Sequence, residues 1–329
     1  MGSIVSTISE IVESSISEIA STVISNTKVG YDIAFPHLNI FIENLRNTFK
    51  IGNFTIAYYG LIIAVGMLIG FTVAVRFGKK IGVSEDTLYD IFIICVLLGI
   101  VGARAYYVLF RLDYYMIRPY EILDIRAGGL AVFGGIIFGT IGIIIYCLIK
   151  KVDIKKVLDA TAFGLVIGQA IGRYGNFFNM EAFGGYTDNI FAMRMRAEYL
   201  DQSTVTFEQA VNVIEENGVE YIQAHPTFFY ESTLNILLLI ILIVIFNKCY
   251  KFKGQIFATY LIGYGIIRFF IESLRTDSLM FGTFKISQIV AIVCVVLGLA
   301  YYIYNLFIKK DANVDILNDS DETIKNDDK

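Results

Sequence analysis

The sequence predicts an all-α polytopic membrane protein with about seven transmembrane helices. Three observations predict it. Hydrophobic residues make up 56% of the 329-residue chain, above the roughly 45–50% of soluble domains, and the mean hydropathy is +0.62. Apolar segments near the roughly 20 residues needed to cross a bilayer recur along the chain. Lysines and arginines gather in alternate connections between those segments, the pattern that sets membrane orientation.

Residues 1–50 form an N-terminal extension. Within it Ile4, Ile8, Ile11, Val12, Ile19 and Val23 fall near helical spacing, with Ile16 one position off phase. That pattern predicts an amphipathic helix lying on the outer membrane surface. The stretch lacks the basic start and continuous apolar core of a secretory signal. A transmembrane domain is expected over 51–310, with spans at about 55–75, 88–110, 130–149, 157–172, 233–247, 255–274 and 284–308. The fourth and fifth are short or broken.

Arg76, Lys79 and Lys80 follow the first span, and Lys150, Lys151, Lys155 and Lys156 the third. Lys248, Lys251 and Lys253 follow the fifth, and Lys309 and Lys310 the seventh. The positive-inside rule makes these connections cytoplasmic, so the N-terminus is expected outside and the C-terminus inside. Residues 185–230 form a small extracytoplasmic insertion. In it Thr206 with Gln209 fits a helix capping box, and Gly218 is expected to end that short helix. Residues 311–329 read as a disordered acidic cytoplasmic tail.

Composition excludes several chemistries. His37 and His225 are the two histidines, too few for most metal sites and catalytic triads. Cys95, Cys147, Cys249 and Cys294 have no metal or redox spacing. No metal, cofactor, disulfide or catalytic cysteine is expected, and no nucleic-acid partner.

The polar residues inside this apolar frame carry the functional signal. The segment Gly172-Arg173-Tyr174-Gly175-Asn176-Phe177-Phe178-Asn179-Met180-Glu181-Ala182-Phe183-Gly184 follows the fourth apolar stretch. Polar groups near hydrocarbon must be satisfied, so such a cluster marks a site. The planar fork of an arginine grips an anionic headgroup bidentately. A second constellation runs from Tyr264 to Arg275. There Arg268 and Glu272 are four apart and Arg275 is seven from Arg268, which puts all three on one helical face. A lone arginine at that depth costs at least ~2–3 kcal/mol, so a partner or bound anion is expected. Glu272 is the expected internal partner, and an Arg–Glu pair that merely staples helices together is the bland explanation. Arg104, in Gly102-Ala103-Arg104, again lies deep in a span. Gly128-Gly129 and Gly134-Gly135 permit close backbone approach, with simple helix packing an equal explanation. Tyr58-Tyr59-Gly60 reads as an interfacial aromatic anchor. His225-Pro226-Thr227-Phe228-Phe229-Tyr230-Glu231 reads as the turn and cap that start the fifth span.

Taken together, these residues resemble the prolipoprotein diacylglyceryl transferase family over about residues 50–308. The family signature stands here as Gly172-Arg173, Gly175-Asn176, Asn179, Glu181 and Gly184. Supporting segments are Tyr59-Gly60, Gly102-Ala103-Arg104, His225-Pro226-Thr227 with Tyr230-Glu231, Tyr264-Gly265 with Arg268 and Glu272, and Ser287-Gln288. The resemblance implies a bacterial cell-membrane transferase that moves diacylglyceryl from phosphatidylglycerol to the lipobox cysteine of prolipoprotein signal peptides. Glycerol phosphate is released, and membrane lipids are the other partners. On this reading Arg173, Arg268, Glu181 and Glu272 are catalytic candidates. Tyr59, Arg104, Asn176, Asn179, Gly184 and Arg275 are substrate-binding candidates. Many members carry histidine where this chain has Phe133, and phenylalanine cannot accept a proton there. A small anion transporter, another lipid-headgroup transferase and a non-catalytic lipid-binding relative remain alternatives.

Overall fold

The structure, a computed structural model, describes residues 30–52, 54–125 and 128–308. The expected surface helix over 1–26 and the acidic tail over 311–329 lie outside the described residues. Seven long helices follow one another: α1 (Tyr58–Lys80), α2 (Glu85–Leu109), α3 (Val132–Lys150), α4 (Ile154–Phe178), α5 (Thr227–Cys249), α6 (Gln255–Leu274) and α7 (Ile286–Ile303). Each meets one of the expected spans. Six of them, all but α4, are long and apolar enough to cross a membrane. The chain is therefore a mostly helical, multi-pass membrane protein.

Local chemistry starts and stops these helices. Ser84 caps α2 by accepting from the Thr87 N–H, and Glu85 and Asp86 follow at the positive end of the helix dipole. α3 ends where Lys151 turns left-handed at φ 56°.

The described chain divides into two compact units. One contains Gly60–Arg173, Glu231–Phe270 and the residues from Met280 onward. Its core is built from α1 to α6, with Phe77, Leu88, Cys147, Phe163, Leu242, Phe246 and Ile256 buried together. Phe77 stacks on Phe163 with ring centroids 3.9 Å apart, and Phe246 meets both edge-on. Glycines bring helices within backbone contact. A Cβ on Gly164 of α4 would stand 2.8 Å from the Gly70 carbonyl of α1, and one on Gly134 of α3 would collide with the Gly102 carbonyl of α2.

The interior position of α4 explains its weaker apolar signal. Val157, Ala160, Ala162, Phe163 and Val166 are fully buried, and its one buried carboxylate is satisfied by neighbouring segments. Asp159 is fully buried. Its carboxylate accepts from the Tyr250 hydroxyl at 2.7 Å and from the backbone N–H groups of Gly254 and Phe257 at 2.6 and 2.9 Å. It thus caps the start of α6, where four N–H groups otherwise lack partners.

The other unit contains the described residues up to Tyr59, Tyr174–Tyr230 and Ile271–Leu279. Here the structure departs from an all-α chain. A five-stranded antiparallel sheet runs in the order Ile40–Ile42, Ile33–Phe35, Met193–Arg196, Val219–Ala224, Ile214–Glu216. Ile33 lies opposite both Ile42 and Met195, and Met195 opposite Ile222. Ile33, Met193, Met195, Ile222 and Ala224 then meet Met180, Phe183 and Phe228 in one core. Part of the N-terminal extension is therefore an integral strand pair of this unit. The Thr206–Gln209 capping box is present and starts a short helix, Phe207–Val211. Gly218 does not end that helix. Asn217 and Gly218, at φ 53° and 74°, make the tight turn between the last two strands, as Asn-Gly favours when both central residues need positive φ.

Candidate active site

Arg173 lies near the end of α4, Glu231 near the start of α5 and Arg268 near the end of α6. The Arg173 Nη2 donates to Glu231 Oε1 at 2.9 Å, and the Arg268 Nη1 donates to Oε2 at 3.2 Å. Glu231 is 1% exposed, against 20% and 14% for the two arginine side chains. The carboxylate is buried and both arginine side chains stay partly accessible. The Tyr264 hydroxyl donates to Oε1 at 3.4 Å.

Helical spacing explains why these groups meet. Tyr260, Tyr264 and Arg268 recur every four residues along α6, as do Gln169 and Arg173 along α4, so each set shares a face. Gln169 donates to the Tyr260 hydroxyl at 2.8 Å, and the Tyr260 ring stacks on Tyr264 with a 4° interplanar angle. The Ser232 hydroxyl bonds the Ala170 carbonyl at 2.8 Å, tying α5 to α4 one residue from the ion pair. The sequence pointed to Glu272 as the partner of Arg268. The structure also places Glu231 against Arg268 and makes it the anchor that Arg268 shares with Arg173. Its sequence signal was a carboxylate in the first turns of an apolar span, which requires a cationic partner.

In the other unit, α4 ends in a tight polar turn. The side-chain amides of Asn176 and Asn179 both donate to Glu181 Oε1, at 2.9 and 3.4 Å, and the Glu181 N–H bonds the Asn176 carbonyl. Met180 and Ala182 flank Glu181 at φ 50° and 59°. Left-handed geometry in residues with a Cβ costs about 1–2 kcal/mol each, so this turn holds its carboxylate against strain. A Cβ on Gly175 would stand 2.7 Å from the Tyr59 ring, so glycine admits the tyrosine there. Gly184 pairs with Arg275 in an isolated bridge, donates its N–H to the His225 carbonyl and leaves no room for a Cβ against His225. Arg275 lies one residue past the end of α6, and its guanidinium grips Asp277 bidentately at 2.9 Å. Glu272 is 1% exposed.

His225 is half-buried, and its Nδ1 lies 3.4 Å from the Tyr230 hydroxyl and 3.5 Å from the Asn189 amide. Burial holds the imidazole below its ordinary pKa.

Arg104 is buried in the helical unit, and its guanidinium serves the backbone. Nε donates to Ile122, Nη1 to Gly128 and Gly129, and Nη2 to Glu121, all carbonyls, at 2.6–2.9 Å. It stacks over Tyr115 and Tyr107 beside a cavity of about 270 Å³. Gly129 is glycine because a Cβ would strike the Arg104 guanidinium. Phe133 lies in the first turn of α3.

The fold and this site define a multi-pass membrane protein with two arginines gathered on one buried carboxylate. The family profile for prolipoprotein diacylglyceryl transferase matches residues 46–304. A Finegoldia magna protein named phosphatidylglycerol–prolipoprotein diacylglyceryl transferase is 40% identical over 253 residues, covering 77% of this chain and 92% of that protein. Proteins of that name from Bacillus cytotoxicus and, as a first form, Clostridium perfringens are each 39% identical, with 91% and 90% of their lengths covered. This chain belongs to the prolipoprotein diacylglyceryl transferase family, and its family activity is that of a transferase.

Proposed function

We propose that this chain transfers the diacylglyceryl group of phosphatidylglycerol to the thiol of a lipobox cysteine in prolipoproteins. Glycerol phosphate is released, and the reaction takes place in the bacterial inner membrane. The observation that supports this most strongly is the convergence of Arg173 and Arg268 on buried Glu231. In the reaction a carbon–sulfur bond forms as the carbon–oxygen bond to phosphate breaks. The electron pair leaves on the phosphate oxygen, and the thiol proton passes to solvent. Negative charge grows on the leaving phosphate, and cationic donors already fixed in place stabilise it without reorganising.

Arg173 and Arg268 are the proposed phosphate clamp, with Glu231 holding both in register. Asn176 and Asn179 are proposed to donate to headgroup hydroxyls from the turn that Glu181 organises, and Glu272 to orient the arginine four residues before it. Tyr59, Gly184, Arg275 and Arg104 are proposed to shape the substrate site. Phe133 supplies no base. A free thiol with pKa near 8.5 is a few per cent thiolate at neutral pH, and the cationic field raises that fraction.

α4 is proposed as a seventh span. Its 25 residues extend about 37 Å at 1.5 Å per residue, and Val157, Ala160, Ala162, Phe163 and Val166 are fully buried. The lysine-rich connections support a cytoplasmic C-terminus and an extracytoplasmic insertion at 185–230. The test is a reconstitution with labelled phosphatidylglycerol and a lipobox peptide. Lipidated peptide with equimolar glycerol phosphate is expected. Folded protein that binds the lipid but releases no glycerol phosphate would overturn the proposal.

A further inference from the structure

The connection between α2 and α3 presents an unusual surface. Leu109 ends α2, and the chain continues through a six-residue helix, Leu112–Ile117, and a 3-10 turn, Pro119–Leu123. Phe110, Leu112, Met116, Ile117, Tyr120 and Leu123 are 46–87% exposed. A soluble surface rarely tolerates so many large apolar side chains in one short segment. The segment is nonetheless held in a defined conformation, because Arg104 donates to the Glu121 and Ile122 carbonyls. The Tyr115 ring is buried against the same guanidinium.

We infer that residues 110–123 form an interfacial platform that docks on the lipid surface of the bilayer, with Arg104 as the clasp that sets its shape. Two observations select lipid over a second copy of the chain. The exposed apolar surface is continuous with that of a membrane-crossing helix, because Leu97, Val101 and Leu109 of α2 are 57–61% exposed and lead directly into Phe110. Five tyrosines fall between 106 and 120, namely Tyr106, Tyr107, Tyr114, Tyr115 and Tyr120. Tyrosine concentrates at the headgroup level, where its ring is in hydrocarbon and its hydroxyl in water. The polar groups support this placement: the Tyr114 hydroxyl bonds both Glu121 and Arg118, so these two charges are held together.

The chain contains no tryptophan, so single tryptophans report their own surroundings. Ile117→Trp, Leu123→Trp and the water-facing control Glu215→Trp are placed singly in the full chain and reconstituted in phosphatidylglycerol-containing nanodiscs. At 117 and 123 the emission is expected to be blue-shifted. It should be lost more to lipids brominated near the headgroup than to lipids brominated deep, because such a segment sits only about 5–10 Å into the interface. Emission quenched by aqueous iodide as strongly as the Glu215→Trp control overturns the inference. Shielding from both iodide and brominated lipid also overturns it and assigns the surface to a protein contact. An Arg104→Ala variant in the Leu123→Trp background separates clasp from composition: loss of the shallow preference at 123 is expected, and its retention removes Arg104 from the device.

Discussion

Arg268 and Glu231 stand 3.2 Å apart although 37 positions separate them in the chain, and the same carboxylate holds Arg173. One buried acid thus fixes two cations on two different helices. Removing it takes away the carboxylate that both cations share. Glu231→Gln keeps the volume and removes the charge. Breaking a buried ion pair typically costs about 3–5 kcal/mol. A lower melting temperature in detergent and a fall in kcat of the folded fraction are expected. Unchanged kcat with lowered stability would reduce Glu231 to a helix staple.

Arg268→Lys tests the clamp itself. Lysine keeps the charge and loses the planar fork. Losing one oriented donor to a developing oxyanion commonly costs about 10²–10³ in kcat. A fall of that order in lipidation of a lipobox peptide is expected. Wild-type lipidation by Arg268→Lys would show that the phosphate does not use the fork.

Asp159→Ala removes the carboxylate that caps α6 and accepts from Tyr250. Leaving buried donors unsatisfied costs about 1–3 kcal/mol. Thermal unfolding of the variant should begin earlier. Faster hydrogen exchange at Gly254 and Phe257 should mark the site of the loss.

Gly134→Val tests the contact of α2 with α3. A Cβ at 134 meets the Gly102 carbonyl and the Tyr106 side chain, and overpacking of this kind typically costs about 1–3 kcal/mol. Gly139→Val is the matched control on the same helix, because nothing lies within 4 Å of a Cβ there. The first variant should melt below the wild type by a clear margin over the second.

The pH dependence of stability follows from His225. Burial favours its neutral form, so its folded pKa lies below the ordinary 6.5. Above about 6.5 both folded and unfolded states are neutral and His225 adds no pH dependence. As pH falls below 6.5 the unfolded state takes up the proton first, and stability declines until the folded pKa is passed. Melting temperatures of wild type and His225→Asn, compared between pH 7.5 and 5.5, should show the larger decline in the wild type. Equal declines would place the titrating group elsewhere.

Much of the membrane frame was legible, because a helix in hydrocarbon must be apolar along its whole length. That requirement is written residue by residue. The signature from Gly172 to Gly184 was legible for the same reason, since polar residues in such a frame stand out. The sheet was not. Its strands are three to six residues long, and Ile33 finds its partner Met195 far along the chain. The Asn217-Gly218 pair did carry a hairpin signal, and a helix stop was read from the glycine alone.

The sequence by itself determined the apolar spans, the intramembrane arginines and the family to which they belong. These depend on composition, spacing and local propensity, all of which act over a few residues. Only the tertiary structure decided which acid answers which arginine. It set Glu231 between Arg173 and Arg268, turned Arg104 onto backbone carbonyls and gave Asp159 to the start of α6. Each is a pairing between different segments, and the physical reason is common to all three. A buried charge is stabilised by whatever partner packing brings within about 3 Å, and sequence distance does not enter that interaction.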